Sequence, residues 1–188
     1  MARLGIAKDF LAEYARLQRP VQKAVDAAME KFAGQTHAGM HLEKLRNARD
    51  PRIRTIRVSD FYRGVVLAPE QGEEYLLLRV LPHDDAIAYA TSRRFTVNHA
   101  LGVLEVRNQQ ALDSIAPALE QVAADSPRPL FAAVRDKDLV RLGVDPDLLP
   151  LIRLLGTEAH LEALANLLPQ AQYDALVAVA AGMTPEQA

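Results

Sequence analysis

Six arginines fall within eighteen residues: Arg46, Arg49, Arg52, Arg54, Arg57 and Arg63, with only Asp50 and Asp60 opposing them. Guanidinium groups grip phosphate through two parallel hydrogen bonds, so such a run suits the backbone of a polyanion. On a strand, Arg52 and Arg54 share one face by the period of two, and Arg57 falls on the other unless a bulge intervenes. The competing reading is a solvated strand face whose arginines pair with nearby Glu and Asp.

A second group follows Pro82. His83-Asp84-Asp85 stands at an expected strand-to-helix junction, where an imidazole can exchange protons near neutrality beside two carboxylates. The plainer alternative is a helix N-terminus favoured by Asp84 and Asp85, with His83 an exposed turn residue. Tyr89 lies six residues on and Arg93 follows it at i+4, with Arg94 next, so one helix face offers a phenol and a guanidinium. A buried tyrosine with its hydroxyl satisfied is the other reading. His37 and His41 have the i, i+4 spacing of helical metal ligands, yet Gly39 lies between them and a third ligand is lacking, so no metal site is assigned. No other cofactor is expected.

Several chemistries are closed by what the chain lacks. It has no cysteine, which removes disulfides, thiolate catalysis and Cys-based zinc sites and fits a cytoplasmic setting. Phosphate-binding glycine loops and the G-x-S-x-G elbow are missing, so nucleotide hydrolysis and serine hydrolase chemistry have no signal. Its apolar runs are too short for a membrane helix, and no membrane partner is expected. With no Trp and 5% aromatic residues, a broad base-stacking surface is disfavoured. The net charge of −2 argues against nucleic acid only if charge is evenly spread. Residues 1–100 hold 16 Lys and Arg against 12 Asp and Glu, whereas residues 101–188 hold 6 against 12, giving +4 and −6.

The elements that must position these groups can be read from periodicity. Phe10, Leu11, Tyr14 and Leu17 mark one helix, and Val21 to Phe32, opened by Pro20 and closed by Gly34, a second. Arg3–Ile6 reads as a short strand before this hairpin. Three strands, 52–58, 61–68 and 74–81, form an expected antiparallel meander turning through Pro69–Gly72. A helix is expected over 83–93, then a hairpin around Gly102. The domain reading is an α+β region over 1–106 and an all-α segment over 107–188, with a linker near 125–129. Thr184-Pro-Glu-Gln187 has a helix-start pattern, so the chain is expected to be the N-terminal piece of a longer protein.

Residues 1 to about 97 resemble the RelE/ParE superfamily of small bacterial toxins. The resemblance rests on the helical hairpin, on the run Ile53–Val66 (IRTIRVSDFYRGVV), and on His83–Ala90 (HDDAIAYA). With Ser92–Asn98 and the helical tail, the whole chain is similar to the RelE-like N-terminal region of some bacterial UvrD/Rep-type helicases. The resemblance implies a small twisted antiparallel sheet with helices on one face and an open face for nucleic acid. It implies RNA, the ribosome or DNA as partner, any helicase motor lying outside this chain. If the activity of RelE-type members is kept, it implies mRNA cleavage by activating the 2′-hydroxyl for attack on the adjacent phosphate. Arg57 and Arg63, with Arg54, would then supply charge, and His83 and Tyr89 would transfer protons. Some ParE-like relatives act on DNA gyrase instead and are not nucleases. Phosphate contacts are expected at Arg46, Arg49, Arg52, Arg54, Arg57, Arg63, Arg93 and Arg94. The acidic tail suggests an intramolecular mask over the basic sheet, or simply a spacer with solvated charges.

Overall fold

The structure, a computed structural model, describes residues 2–34, 42–124 and 128–188. His37 and His41, and most of the expected linker, lie outside the described residues. The chain divides into two compact units, Met1–Ser92 and Arg93–Ala188.

The first unit runs β1 (Arg3–Ile6), α1 (Lys8–Tyr14), α2 (Arg19–Gly34), β2 (Glu43–Lys44), β3 (Ile53–Arg57), β4 (Tyr62–Leu67), β5 (Glu74–Pro82) and α3 (His83–Ser92). The sheet order is β1-β5-β4-β3-β2. The β3–β4–β5 meander pairs antiparallel, and Gly72, at a φ of 89° that side chains resist, lets the chain turn between β4 and β5. The sheet is not antiparallel throughout, as the resemblance implied. β1 pairs with β5 in parallel, Arg3 opposite Glu74 through Ile6 opposite Leu77, making a five-stranded mixed sheet. A parallel neighbour needs a long crossover, and the helical hairpin begins that crossover.

One face of the sheet takes the hairpin. Phe10, Val25 and Phe32 pack with Ile56, Val66, Tyr75, Leu77 and Val80, and the Phe32 ring meets Tyr75 edge-on at 5.2 Å. Each fully buried aromatic there contributes roughly 1.5–3 kcal/mol. The other face is not open, contrary to the resemblance. Ile53, Thr55, Val65 and Leu78 are buried on it, and α3 packs across β3, β4 and β5 with Ala86 and Ala90 wholly covered. Small side chains at these two positions allow the helix to lie close to the strands. Between Val65 and Val66 the register with β5 shifts, so that Val65 faces Arg79 and Val66 faces Leu77, leaving Leu78 as the extra residue of a bulge.

The second unit comprises β6 (Arg93–Asn98), β7 (Val103–Asn108), α4 (Gln109–Ala124), α5 (Asp136–Arg141), a 3₁₀ turn (Pro146–Leu148), α6 (Leu149–Ile152), α7 (Glu158–Glu162) and α8 (Gln170–Ala180). The expected hairpin therefore groups with the helices, and every element after it is helical. Its core gathers Leu112, Phe131, Leu139, Ile152, Leu164 and Leu176. Asn98, Glu105 and Arg107 of the hairpin are buried. Glu105 accepts from Asn98 (3.0 Å) and from Gln172 of α8, while Arg107 forms an ion pair with Asp145. Gly143 closes against this network, since a Cβ there would stand 2.7 Å from the Asn98 amide and its φ is +93°.

Dividing the chain at 92/93 changes its charge arithmetic. The first unit carries fourteen Lys and Arg against twelve Asp and Glu, a net of +2, and the second eight against twelve, a net of −4. Near the end, Thr184 and Gln187 make one capped turn, with Gln187 Oε1 accepting from Thr184 N–H at 3.0 Å. Among the described residues no helix is long and apolar enough to cross a membrane.

Candidate nucleic-acid interface

The β3–β4 turn builds one corner of the sheet. Ser59 Oγ accepts from the N–H groups of Phe61 (3.3 Å) and Tyr62 (3.2 Å), while Val58 N–H donates to Tyr62 O at 3.1 Å. This tight closure leaves the Phe61 side chain with nowhere to pack, and it is 78% exposed. Arg57 and Arg63 follow on the two strands directly opposite each other, and strand alternation turns both away from the hairpin side, where Ile56 lies. Next along the same row Arg63 pairs with Leu81, and one position toward the strand end Tyr62 pairs with Pro82. His83 then begins α3, and its N–H donates to Phe61 O at 2.8 Å. Arg57, Phe61, Arg63 and His83 thus meet at one end of the sheet.

The two arginines differ in how their charge is met. Arg57 is largely exposed and pairs with Asp60 three residues on. Arg63 donates through Nη1 to Ser59 O (2.8 Å) and Tyr62 O (3.2 Å), and among the described residues no carboxylate reaches it. Its Nε is buried without a partner, an omission that costs about 1–3 kcal/mol. The half-exposed His83 ring meets Asp84 through Nδ1 at 2.9 Å.

The other sequence-derived residues do not join this corner. Arg52 is clamped by Asp50 through Nε (3.0 Å) and Nη2 (2.7 Å) and reaches Glu70 at 3.4 Å, so its charge is spent within the turn. The hydrogen bond to Asp50 raises the guanidinium pKa above its usual value against the opposing effect of burial. Arg54 lies on the Ile56 side, donating to the carbonyls of Pro51 (2.6 Å) and Ile53 (2.7 Å). Arg46 and Arg49 are exposed in the β2–β3 connection, with Arg49 N–H bonded to Thr91 O at 3.2 Å. The run therefore splits over both sheet faces and a loop. Arg93 and Arg94 belong to the second unit, where Arg94 pairs with Asp147. α3 ends at Ser92, so Arg93 stands on β6 and not on a shared helix face with Tyr89. Tyr89 itself lies under the Arg79 guanidinium, 4.9 Å from ring centroid to charge, and Arg79 pairs in turn with Glu13 of α1. Roughly 9 Å of helix rise separates Tyr89 from His83.

No protein-family model matches the chain, and no curated protein does.

The corner offers cations for a phosphate, an imidazole for proton exchange and one aromatic face on which a base can stack. Phe61 was not singled out by sequence reasoning. Its signal was local: an aromatic at the apex of a Ser-Asp-Phe-Tyr turn, where neither strand can bury it. Among the described residues no cluster of His, Asp and Glu is arranged to hold a metal ion.

Proposed function

We propose that the first unit is a RelE-like nucleic-acid- or ribosome-binding module, carried as the N-terminal region of a bacterial, cytoplasmic UvrD-like helicase. The observation that supports binding is the Arg57–Arg63 pair beside exposed Phe61. Two like charges directly opposite on a sheet oppose folding, and an aromatic ring left in water gains nothing, so both features make sense as contacts for an anionic, base-bearing partner. The order of elements and the runs Ile53–Val66 and His83–Ala90 support the RelE-like assignment and the helicase setting. Fluorescence anisotropy of labelled RNA and DNA oligonucleotides with the full chain tests the binding. Affinity should fall steeply with salt, by a log–log slope of about −0.7 per neutralised phosphate on a single strand. Salt-independent affinity, or none, would remove the proposal.

The second reading is a ribosome-dependent endoribonuclease, favoured by one observation: His83 is bonded through its backbone to the same turn that bears Phe61 and the arginines. In that reading Arg57 and Arg63 steady the phosphate and His83 takes the 2′-hydroxyl proton as its oxygen bonds to phosphorus. The P–O5′ bond breaks, leaving a 2′,3′-cyclic phosphate and a 5′-oxygen that takes its proton from water. Tyr89, held by Arg79, then serves packing. Mapping mRNA ends after expression separates the readings, because His83→Ala should keep RNA binding and lose cleavage. Cleavage undiminished in His83→Ala would exclude this site for the chemistry.

A further inference from the structure

The second unit carries its own surface feature, a groove between α7 and α8. Its floor is Leu161, Tyr173, Val177, Ala180 and Ala181, and its rim carries Glu158 and Glu162. The two glutamates are four residues apart, so both stand on one side of α7. Four acidic groups of this unit are already matched by cations: Asp136 with Arg153, Asp138 with Arg135, Asp145 with Arg107, Asp147 with Arg94. Among the described residues no cation meets Glu158 or Glu162. Val177 on the floor stays 40% exposed.

We propose that this groove binds a basic amphipathic helix of a partner protein. An Arg or Lys of that helix lays its methylene stem along Val177, Ala180 and Ala181 and its charged head between Glu158 and Glu162. The Tyr173 ring adds a π-face for the cation. Charge decides the occupant. A nucleic acid would bring phosphates against two carboxylates, and a purely apolar partner would bury them unpaired. An Arg-bearing helix satisfies both the floor and the rim.

The test uses the full chain and a fluorescein-labelled sixteen-residue helical peptide of Ala, Leu and Arg, with Arg at i, i+4 along one side. Its analogue with Glu in place of every Arg is the comparison. The Arg peptide should bind at least tenfold more tightly than the Glu analogue. Glu158→Gln/Glu162→Gln should weaken it about tenfold or more, and so should Ala181→Phe, which fills the groove without changing charge. Asp113→Asn/Glu120→Gln, an equal loss of charge on α4, should change affinity less than twofold. Equal loss in that control pair, full affinity in Ala181→Phe, or no binding of the Arg peptide would each overturn the proposal.

Discussion

Arg57 and Arg63 stand directly opposite each other on neighbouring strands, two guanidinium groups on one face, of which Arg57 pairs with Asp60 and Arg63 meets no carboxylate among the described residues. Cross-strand like charges are destabilising by up to about 1 kcal/mol, while an exposed ion pair such as Arg57–Asp60 returns about 0–1 kcal/mol. Replacing Arg57 should therefore cost the fold almost nothing. Arg57→Gln is expected to leave the chemical-denaturation midpoint unchanged or slightly raised while weakening oligonucleotide binding. A clear loss of stability would mean the arginine is there for the sheet.

Phe61 separates binding from folding more sharply. With the ring almost wholly in water, Phe61→Ala should alter stability by no more than about 0.5 kcal/mol. A base stacked on the ring is worth about 1–3 kcal/mol, so oligonucleotide affinity should fall roughly five- to a hundredfold. Anisotropy titrations beside a urea melt of the same variant measure both quantities.

The second unit should be acid-sensitive through Asp145. Burial pushes its carboxyl up, but hydrogen bonds from Arg107 and the Asp147 N–H, with the Arg107 charge, outweigh that and hold the pKa below the ordinary 3.8. A depressed native pKa stabilises above the unfolded value and is lost as pH falls through the native one. Stability should thus be level above about pH 5 and decline below the ordinary carboxylate range. Asp145→Asn should flatten that decline in denaturation midpoints taken across acid pH.

Its partner gives a larger effect. The Arg107 side chain is 1% exposed and Asp145 8%, so Arg107→Met leaves a buried carboxylate without its cation. Such a loss costs about 3–5 kcal/mol. Calorimetry should show a markedly lower transition in this variant, and a change below 1 kcal/mol would contradict the role given to the pair.

The strands and helices of the first unit were legible where local pattern decides them. Ile53, Ile56 and Val58 beside turn residues marked β3, and Pro82 with His83-Asp84-Asp85 marked the change from β5 to α3. What could not be read is what distant partners decide. The parallel pairing of β1 with β5 joins residues more than seventy positions apart and has no local signature. The same holds for the bulge at Leu78 that sets Arg79 in its row, and so for the contact of Arg79 with the Tyr89 ring. Arg52 was different, because Asp50 is two residues away and the clamp was there to be read. The Arg57–Arg63 pairing followed from register alone, which needed the turn at Ser59–Phe61 to be placed to the residue.

The most direct measurement is the salt dependence of oligonucleotide binding by the full chain and by Arg57→Gln/Arg63→Gln, taken from about 50 to 200 mM salt. If the corner contacts phosphates, the intact chain should show a negative log–log slope, and the double variant should bind more weakly with a slope shallower by about 1.4 on a single strand. Parallel slopes with unchanged affinity would show that these arginines do not meet nucleic acid.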